Sequence, residues 1–197
     1  MLDWLALGAY VLVMSITPGP NNVMVLASGA RFGLRRTLPH LTGIALGFAA
    51  QNVVVSTGLG VALDRFQPAH AWLRWIGIGY MFYLAFKLLR AGAVGSTHAA
   101  RPLSIFEAAV FQAVNPKAWV AALTVASVFM PKSGSLPLAA ASMALVLVAV
   151  NFPCTSIWAV CGSALSSWLD HPRRRFIFNV TMALLMALTG LSMLLGG

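Results

Sequence analysis

The sequence predicts an all-α integral membrane protein, six transmembrane helices arranged as two inverted three-helix repeats, with helices 1 and 4 broken. Three observations carry that expectation. Of the 197 residues 59% are hydrophobic and only 9% charged, with a mean hydropathy of +0.84, whereas an ordinary globular domain carries about 25% charge. The charges are segregated: none falls between Asp3 and Arg31, between Arg36 and Asp64, between Lys132 and Asp170, or after Arg175. Each gap holds the ~20 apolar residues that cross a bilayer core. Finally, Pro, Gly and Asn interrupt the first and fourth apolar runs at comparable depth.

Spans are expected at about 4–29, 38–62, 71–90, 104–129, 136–167 and 176–195. The first follows Met1-Leu2-Asp3, which lacks the basic stretch of a signal peptide, and it exceeds a signal's apolar core, so it is expected to be retained. Inside it stands Thr17-Pro18-Gly19-Pro20-Asn21-Asn22. Two prolines there remove backbone donors and obstruct earlier carbonyls while Gly19 adds freedom, so an unbroken helix is not expected. The second span carries Gly43 and Gly47, a GxxxG pair read as close helix packing, and then Gln51 and Asn52. The third has Arg74 and Lys87 near its ends, where long basic side chains snorkel outward. The fourth is interrupted at Asn115-Pro116 and continues with Lys117. In the fifth, Asn151-Phe152-Pro153 is followed by Cys154 and Cys161, about 10 Å apart along the axis, beyond disulfide reach and read as small apolar packing residues. Pro153 reads as a packing kink. The sixth is uncharged. The connections are too short for a further domain, so residues 1–197 are read as one transmembrane domain, repeat one about 1–95 and repeat two about 100–197.

The formal charge of +9 invites a nucleic-acid partner, but its distribution excludes one. Nine basic residues fall on the odd connections: Arg31, Arg35 and Arg36; Lys87, Arg90 and Arg101; Arg173, Arg174 and Arg175. The even connections hold Arg65, Arg74 and Lys132, and Lys117 lies inside a span. By the positive-inside rule the odd loops are cytoplasmic, where anionic leaflet lipids retain the arginines, and both termini face outward, into the periplasm if the chain is that of a bacterial inner-membrane protein. A nucleic-acid surface needs a basic patch with interleaved aromatics, which is lacking. Trp4, Trp72, Trp75 and Trp168 fall near span ends, as interfacial anchors do. Trp119 and Trp158 are deeper and read as core packing or as the wall of a pathway.

The interruptions repeat. Pro18 stands fifteen positions after Asp3 and Pro116 fifteen after Arg101; Asn52 and Asn151 are 99 apart in the second helix of each half. Three spans per half oblige the second half to enter the membrane in the opposite orientation. Broken helices meeting at the midplane of such repeats are where secondary transporters bind substrate.

The motifs Thr17-Pro18-Gly19-Pro20-Asn21-Asn22, Gly29-Ala30-Arg31-Phe32-Gly33 and Phe111-Gln112-Ala113-Val114-Asn115-Pro116-Lys117-Ala118 resemble those of the LysE/RhtB family of bacterial amino-acid exporters, as do the chain's length and six apolar segments. The resemblance implies export of amino acids or close derivatives, driven by the proton gradient and without a cofactor. Proton coupling rests on that resemblance alone.

An amino-acid zwitterion needs a positive group for its carboxylate and acceptors for its ammonium. A helix restarting after Pro20 offers free N–H groups and the positive end of its dipole. Lys117, costing about 2.5–3.5 kcal/mol at depth, contacts the carboxylate or serves as a gating charge, or else pairs with freed carbonyls of its own broken helix. The amides of Asn21, Asn22, Gln51, Asn52, Asn115 and Asn151 can accept from the ammonium or bond between helices. The candidate substrate-binding set is therefore Pro18, Gly19, Pro20, Asn21, Asn22, Gln51, Asn52, Asn115, Pro116, Lys117 and Asn151. Asp3, Asp64 and Asp170 lie at span ends, and Glu107 is read as an interfacial partner of Arg101. No deep carboxylate is available to carry a proton or to neutralise a second cationic group, so a neutral substrate is favoured over a dibasic one. His40, His70, His98 and His171 fall in or beside connections and read as interfacial.

An intramembrane enzyme needs a nucleophile with its base, paired aspartates or a metal-ligand motif within the spans, and the sequence has none. A passive channel or a non-transporting scaffold is the alternative to a carrier. Small-residue motifs permit a homodimer without requiring one.

Overall fold

The computed structural model describes residues 3–59, 67–90, 101–131 and 134–195. The first span is two helices, α1 (Trp4–Ile16) and α2 (Pro20–Phe32), bent by 56° at the break between them. Asp3 opens α1, its carboxylate accepting from the Ala6 N–H at 3.0 Å, which satisfies one of the orphan donors of a first turn. Gly33, at φ +80°, lets α3 (Leu34–Val54) begin at once; α3 runs through Pro39 and ends in a π turn, Val55–Leu59. Then come α4 (Gln67–Arg90) and α5 (Ile105–Phe111), the latter started by a reciprocal Ser104–Glu107 capping box. A 3-10 turn, Gln112–Val114, leads to α6 (Pro116–Thr124) and a second π turn, Val125–Phe129. The chain closes with α7 (Leu136–Leu165), unbroken at Pro153, and α8 (Pro172–Leu195).

Both expected breaks are present, and among the described residues there is no strand. By length and composition the segments Leu34–Gly58, Leu136–Leu165 and Pro172–Leu191 can each cross a membrane, and α1 with α2 is apolar enough to make a fourth crossing if the bent pair is one span. The protein is thus a multi-pass membrane protein. Its outward surface is apolar, with Leu5, Leu138, Leu145 and Phe176 each more than 60% exposed, as lipid-facing side chains are.

Bare helix faces bring the elements together. Gly29 of α2 meets the backbone of Ala159, and Gly162 of α7 meets the backbone of Leu26; a Cβ on either glycine would overlap a carbonyl oxygen. The GxxxG of α3 does pack closely: a Cβ on Gly43 would stand 2.7 Å from that of Ala108, and one on Gly47 2.6 Å from the Cα of Ala109. These contacts also set directions. Leu7 and Val11 of α1 cluster with Met143 and Leu147, in the first half of α7, while the end of α2 meets the last turns of α7. So α1 and α2 together run alongside α7. Ile105, which opens α5, lies against Gly43, and Val125, just past α6, rejoins Leu7 and Met143. The broken pair α5 and α6 therefore runs against the broken pair α1 and α2. Arg31, Arg35, Arg36, Arg101 and Arg173 to Arg175 consequently gather at one end of the molecule.

Several side chains bear on the sequence reading. Arg101 and Glu107 form the expected pair, at 2.7 and 2.9 Å. Trp4, Trp72, Trp75 and Trp168 are exposed. Cys154 is buried and Cys161 exposed, both as free thiols. His40, expected at an interface, is buried instead, because α3 begins at Leu34 and carries it nearly two turns inside. Asp64, Arg65, His98 and Lys132, with the side chains of His70, Arg74 and Lys87, lie outside the described residues.

Replacing Gly162 by Val should force α2 and α7 apart and destabilise the fold by about 1–3 kcal/mol, the usual range for overpacking. Thermal unfolding in detergent should show a lowered midpoint, with Gly8→Ala, which has open space around it, close to the parent.

Candidate functional site

The break in the first span leaves carbonyls without their helical partners, since Pro18 and Pro20 lack N–H groups and Gly19 is extended (φ −169°, ψ 177°). Side chains take every one of those places. The Asn22 amide donates to Ser15 O at 2.9 Å and Thr17 O at 2.7 Å. The Trp158 indole donates to Ile16 O at 3.2 Å. Pro18 O lies 3.2 Å from the Thr189 hydroxyl, whose single proton it shares with Leu185 O at 2.8 Å. Lys117, a residue only 8% exposed, donates from its ammonium to Thr17 O at 2.7 Å, Thr17 Oγ1 at 2.8 Å and Pro18 O at 3.2 Å. Its stem lies over Gly19, where a Cβ would stand 2.9 Å from Lys117 Cδ, so the bare glycine leaves room for the lysine along this path.

Lys117 thus pairs with freed carbonyls, but not with those of its own broken helix. It caps the break in the other half of the chain. Its own break is capped locally, the Asn115 side chain accepting from the Lys117 N–H at 3.2 Å with Pro116 as first helical residue. Pro20 holds the same place in α2, so Pro116 corresponds to Pro20 rather than to Pro18.

More amides join the halves. Asn21 donates to Gln112 Oε1 at 3.0 Å, and Gln112 donates to Ala108 O at 3.1 Å and back to Asn21 at 3.4 Å. Asn151 donates to Ser15 Oγ at 2.9 Å, while its own Oδ1 is buried without a partner. Between these groups is a cavity of about 40 Å³, room for roughly three waters. Gly19, Pro20, Asn21, Asn22, Asn115, Lys117 and Asn151 line it. Among the described residues no carboxylate, histidine or cysteine does.

Four expected residues are not in the lining. Pro18 contributes its carbonyl, and Pro116 is buried at the start of α6. Asn52 donates to Phe48 O of its own helix at 2.8 Å, and the Gln51 amide is buried without a partner. In turn, sequence reasoning missed Ser15, Phe48 and Thr155 in the lining and Thr17, Gln112 and Trp158 in the supporting bonds. Gln112 lay inside a quoted motif. Ser and Thr gave no signal, because in these helices most hydroxyls simply bond the carbonyl four residues earlier, as Thr42 and Thr124 do. Trp158 is neither pure packing nor a cavity wall, since its N–H closes the α1 end.

Set beside known proteins, residues 12–197 match the family described as LysE type translocator. A cysteine/O-acetylserine efflux protein of Klebsiella pneumoniae is 31% identical over 156 residues, 78% of each chain. Proteins of the same description from Salmonella typhimurium and Escherichia coli K12 are 27% and 28% identical over 183 residues, 92% of each chain. No solved structure matches.

The Asn21–Gln112 pair yields a stability test. Asn21→Ala and Gln112→Ala should be non-additive, with a coupling of about 0.6 kcal/mol and no more than ~1.7, measured as a double-mutant cycle in detergent unfolding.

Proposed function

The chain belongs to the LysE type translocator family, and on that premise we propose that it is a secondary active exporter, moving neutral amino acids or close derivatives out of the cytoplasm by antiport against protons. One observation carries the reading: a polar cavity sits where the two broken helices cross, and helix ends from both halves of the chain surround it. Relatives named for efflux of cysteine and O-acetylserine, both neutral amino acids, support the substrate class.

The chemistry of the lining points the same way. The N–H groups of Asn21 and Asn22 open α2, which has no side-chain cap, and with the helix dipole they suit a carboxylate. Asn151 Oδ1, buried and unpartnered, suits the ammonium. Lys117 has all three donors engaged, so in this state it offers nothing to a carboxylate. A dibasic substrate would bring a second cation into a lining without a carboxylate, beside an ammonium already in place, at a like-charge penalty.

At about 40 Å³ the cavity is smaller than an amino acid, so helix movement has to enlarge it before substrate can enter. Opposite directions of the two broken pairs support an inverted repeat, in which rocking of one half against the other opens the cavity to each side in turn. Arginines gathered at one end support a cytoplasmic face there, with the termini in the periplasm and the chain in a bacterial inner membrane. No cofactor enters the scheme.

Proteoliposomes loaded with unlabelled L-cysteine should take up labelled L-cysteine much faster than empty ones, with L-lysine a poor competitor. Equal rates would mean a channel, and selective lysine exchange would contradict the preference for neutral cargo. Asn151→Leu should slow exchange about tenfold or more, the worth of a hydrogen bond to a charged group, at an unchanged amount of folded protein.

A further inference from the structure

A proton-driven exporter needs a group that takes up a proton on one side of the membrane and gives it up on the other. The lining holds no carboxylate or histidine among the described residues. The groups facing Lys117 are neutral: Thr17, Gly19, Asn21 and Asn22 around the first break, Phe48 of α3, and Asn151 of α7; no described α4 residue lines the cavity. What holds the ammonium is a cradle of three oxygens, Thr17 O, Thr17 Oγ1 and Pro18 O, at 2.7, 2.8 and 3.2 Å. An ammonium has three N–H donors, so the cradle is full.

We infer that Lys117 carries the coupling proton, and that its ammonium and the substrate's ammonium exclude one another at the carbonyl cradle of Thr17 and Pro18. The inference rests on the export reading above. It follows from two features of the geometry: the cradle has oxygens for one ammonium, and Lys117 has no anion to keep it charged when another cation arrives. In the inward-open state the substrate's ammonium takes Thr17 O and Pro18 O of the cradle, with its third donor on Asn151 Oδ1. One N–H bond of Lys117 breaks, the electron pair stays on Nζ, and the proton leaves to cytoplasmic water. The neutral amine keeps two donors and gains a lone pair, which the Thr17 hydroxyl can meet by turning its own proton away from Val13 O, now 2.8 Å from it. In the outward-open state the substrate leaves, Nζ takes a proton from periplasmic water, and the ammonium returns to the cradle. One proton enters for each zwitterion exported, so each cycle moves one positive charge inward.

Competition of this kind is reciprocal: substrate lowers the hold on the proton, and the proton lowers affinity for substrate by the same factor. The test uses the full chain in detergent, weakly buffered, with L-cysteine under reductant as the probe and an indicator dye for protons. The parent should release about one proton per cysteine bound. Its affinity should rise about tenfold per pH unit while Lys117 is charged, below the range near pH 8.5 in which the thiol of the cysteine probe itself titrates. Lys117→Gln should bind, if at all, with no proton release and with an affinity flat in pH. Lys117→Arg, which keeps its proton, should fold but fail to accumulate cysteine against its gradient in proteoliposomes given a pH difference.

A parent that exchanges cysteine without releasing protons overturns the inference and leaves the export reading standing. So does proton release by Lys117→Gln, or uphill accumulation by Lys117→Arg. A parent that shows no cysteine exchange at all removes the export reading, and this inference with it. The parent's proton count decides the matter even where Lys117→Gln does not fold.

Discussion

The constraint on which this structure turns is that a chain crossing a bilayer cannot leave backbone polar groups bare. The stretch Thr17-Pro18-Gly19 violates helical bonding at depth, and four side chains answer it: Lys117 from α6, Trp158 from α7 and Thr189 from α8, with Asn22 from the restarted helix itself. Each is far from the break in sequence except Asn22. The break therefore acts as the point where both halves of the chain are fastened together. A segment that lipid would penalise becomes the polar centre of the molecule because the surrounding helices supply what water otherwise would.

Glycine makes that fastening possible at two scales. Gly29, Gly43, Gly47 and Gly162 let backbones approach until no side chain fits between them, which brings α5 and α7 against the first half closely enough for short side chains to bridge. Gly19 does the same locally, clearing the space through which the Lys117 stem passes. Without these bare surfaces the amides of Asn21 and Gln112, or of Asn151 and the hydroxyl of Ser15, would stand too far apart to bond. Close packing and polar bonding are one arrangement here, since unmet amides at that depth would be costly.

Much of the fold was legible because it depends on local chemistry. Charge gaps located the first, second, fifth and sixth apolar segments to within a few residues, and Pro18, Gly19, Pro20 and Asn115-Pro116 marked the breaks, each for a reason that acts within one turn. The site was legible only in part. Asn21, Asn22, Asn115, Lys117 and Asn151 do converge, but which way an amide points depends on helix rotation, and nothing local turns Asn52 toward Phe48 O instead of the cavity. The partner of Lys117 is a hundred residues away, beyond any periodicity. Thr17 and Ser15 looked like ordinary helix hydroxyls, and only the break itself gives them a second role. His40 shows the same limit, since its burial follows from a helix start four residues earlier than the charge pattern placed it.

The central claim is that the lysine of one broken helix closes the break of the other. The most direct measurement is a solid-state NMR dipolar recoupling experiment on the protein in lipid bilayers, with ¹⁵Nζ-lysine and ¹³C′-threonine labels. A short-range coupling between the Lys117 Nζ and the Thr17 carbonyl carbon is predicted, matching an ammonium 2.7 Å from that oxygen. A Lys117 resonance with no such coupling, exchanging freely with water, would contradict the account.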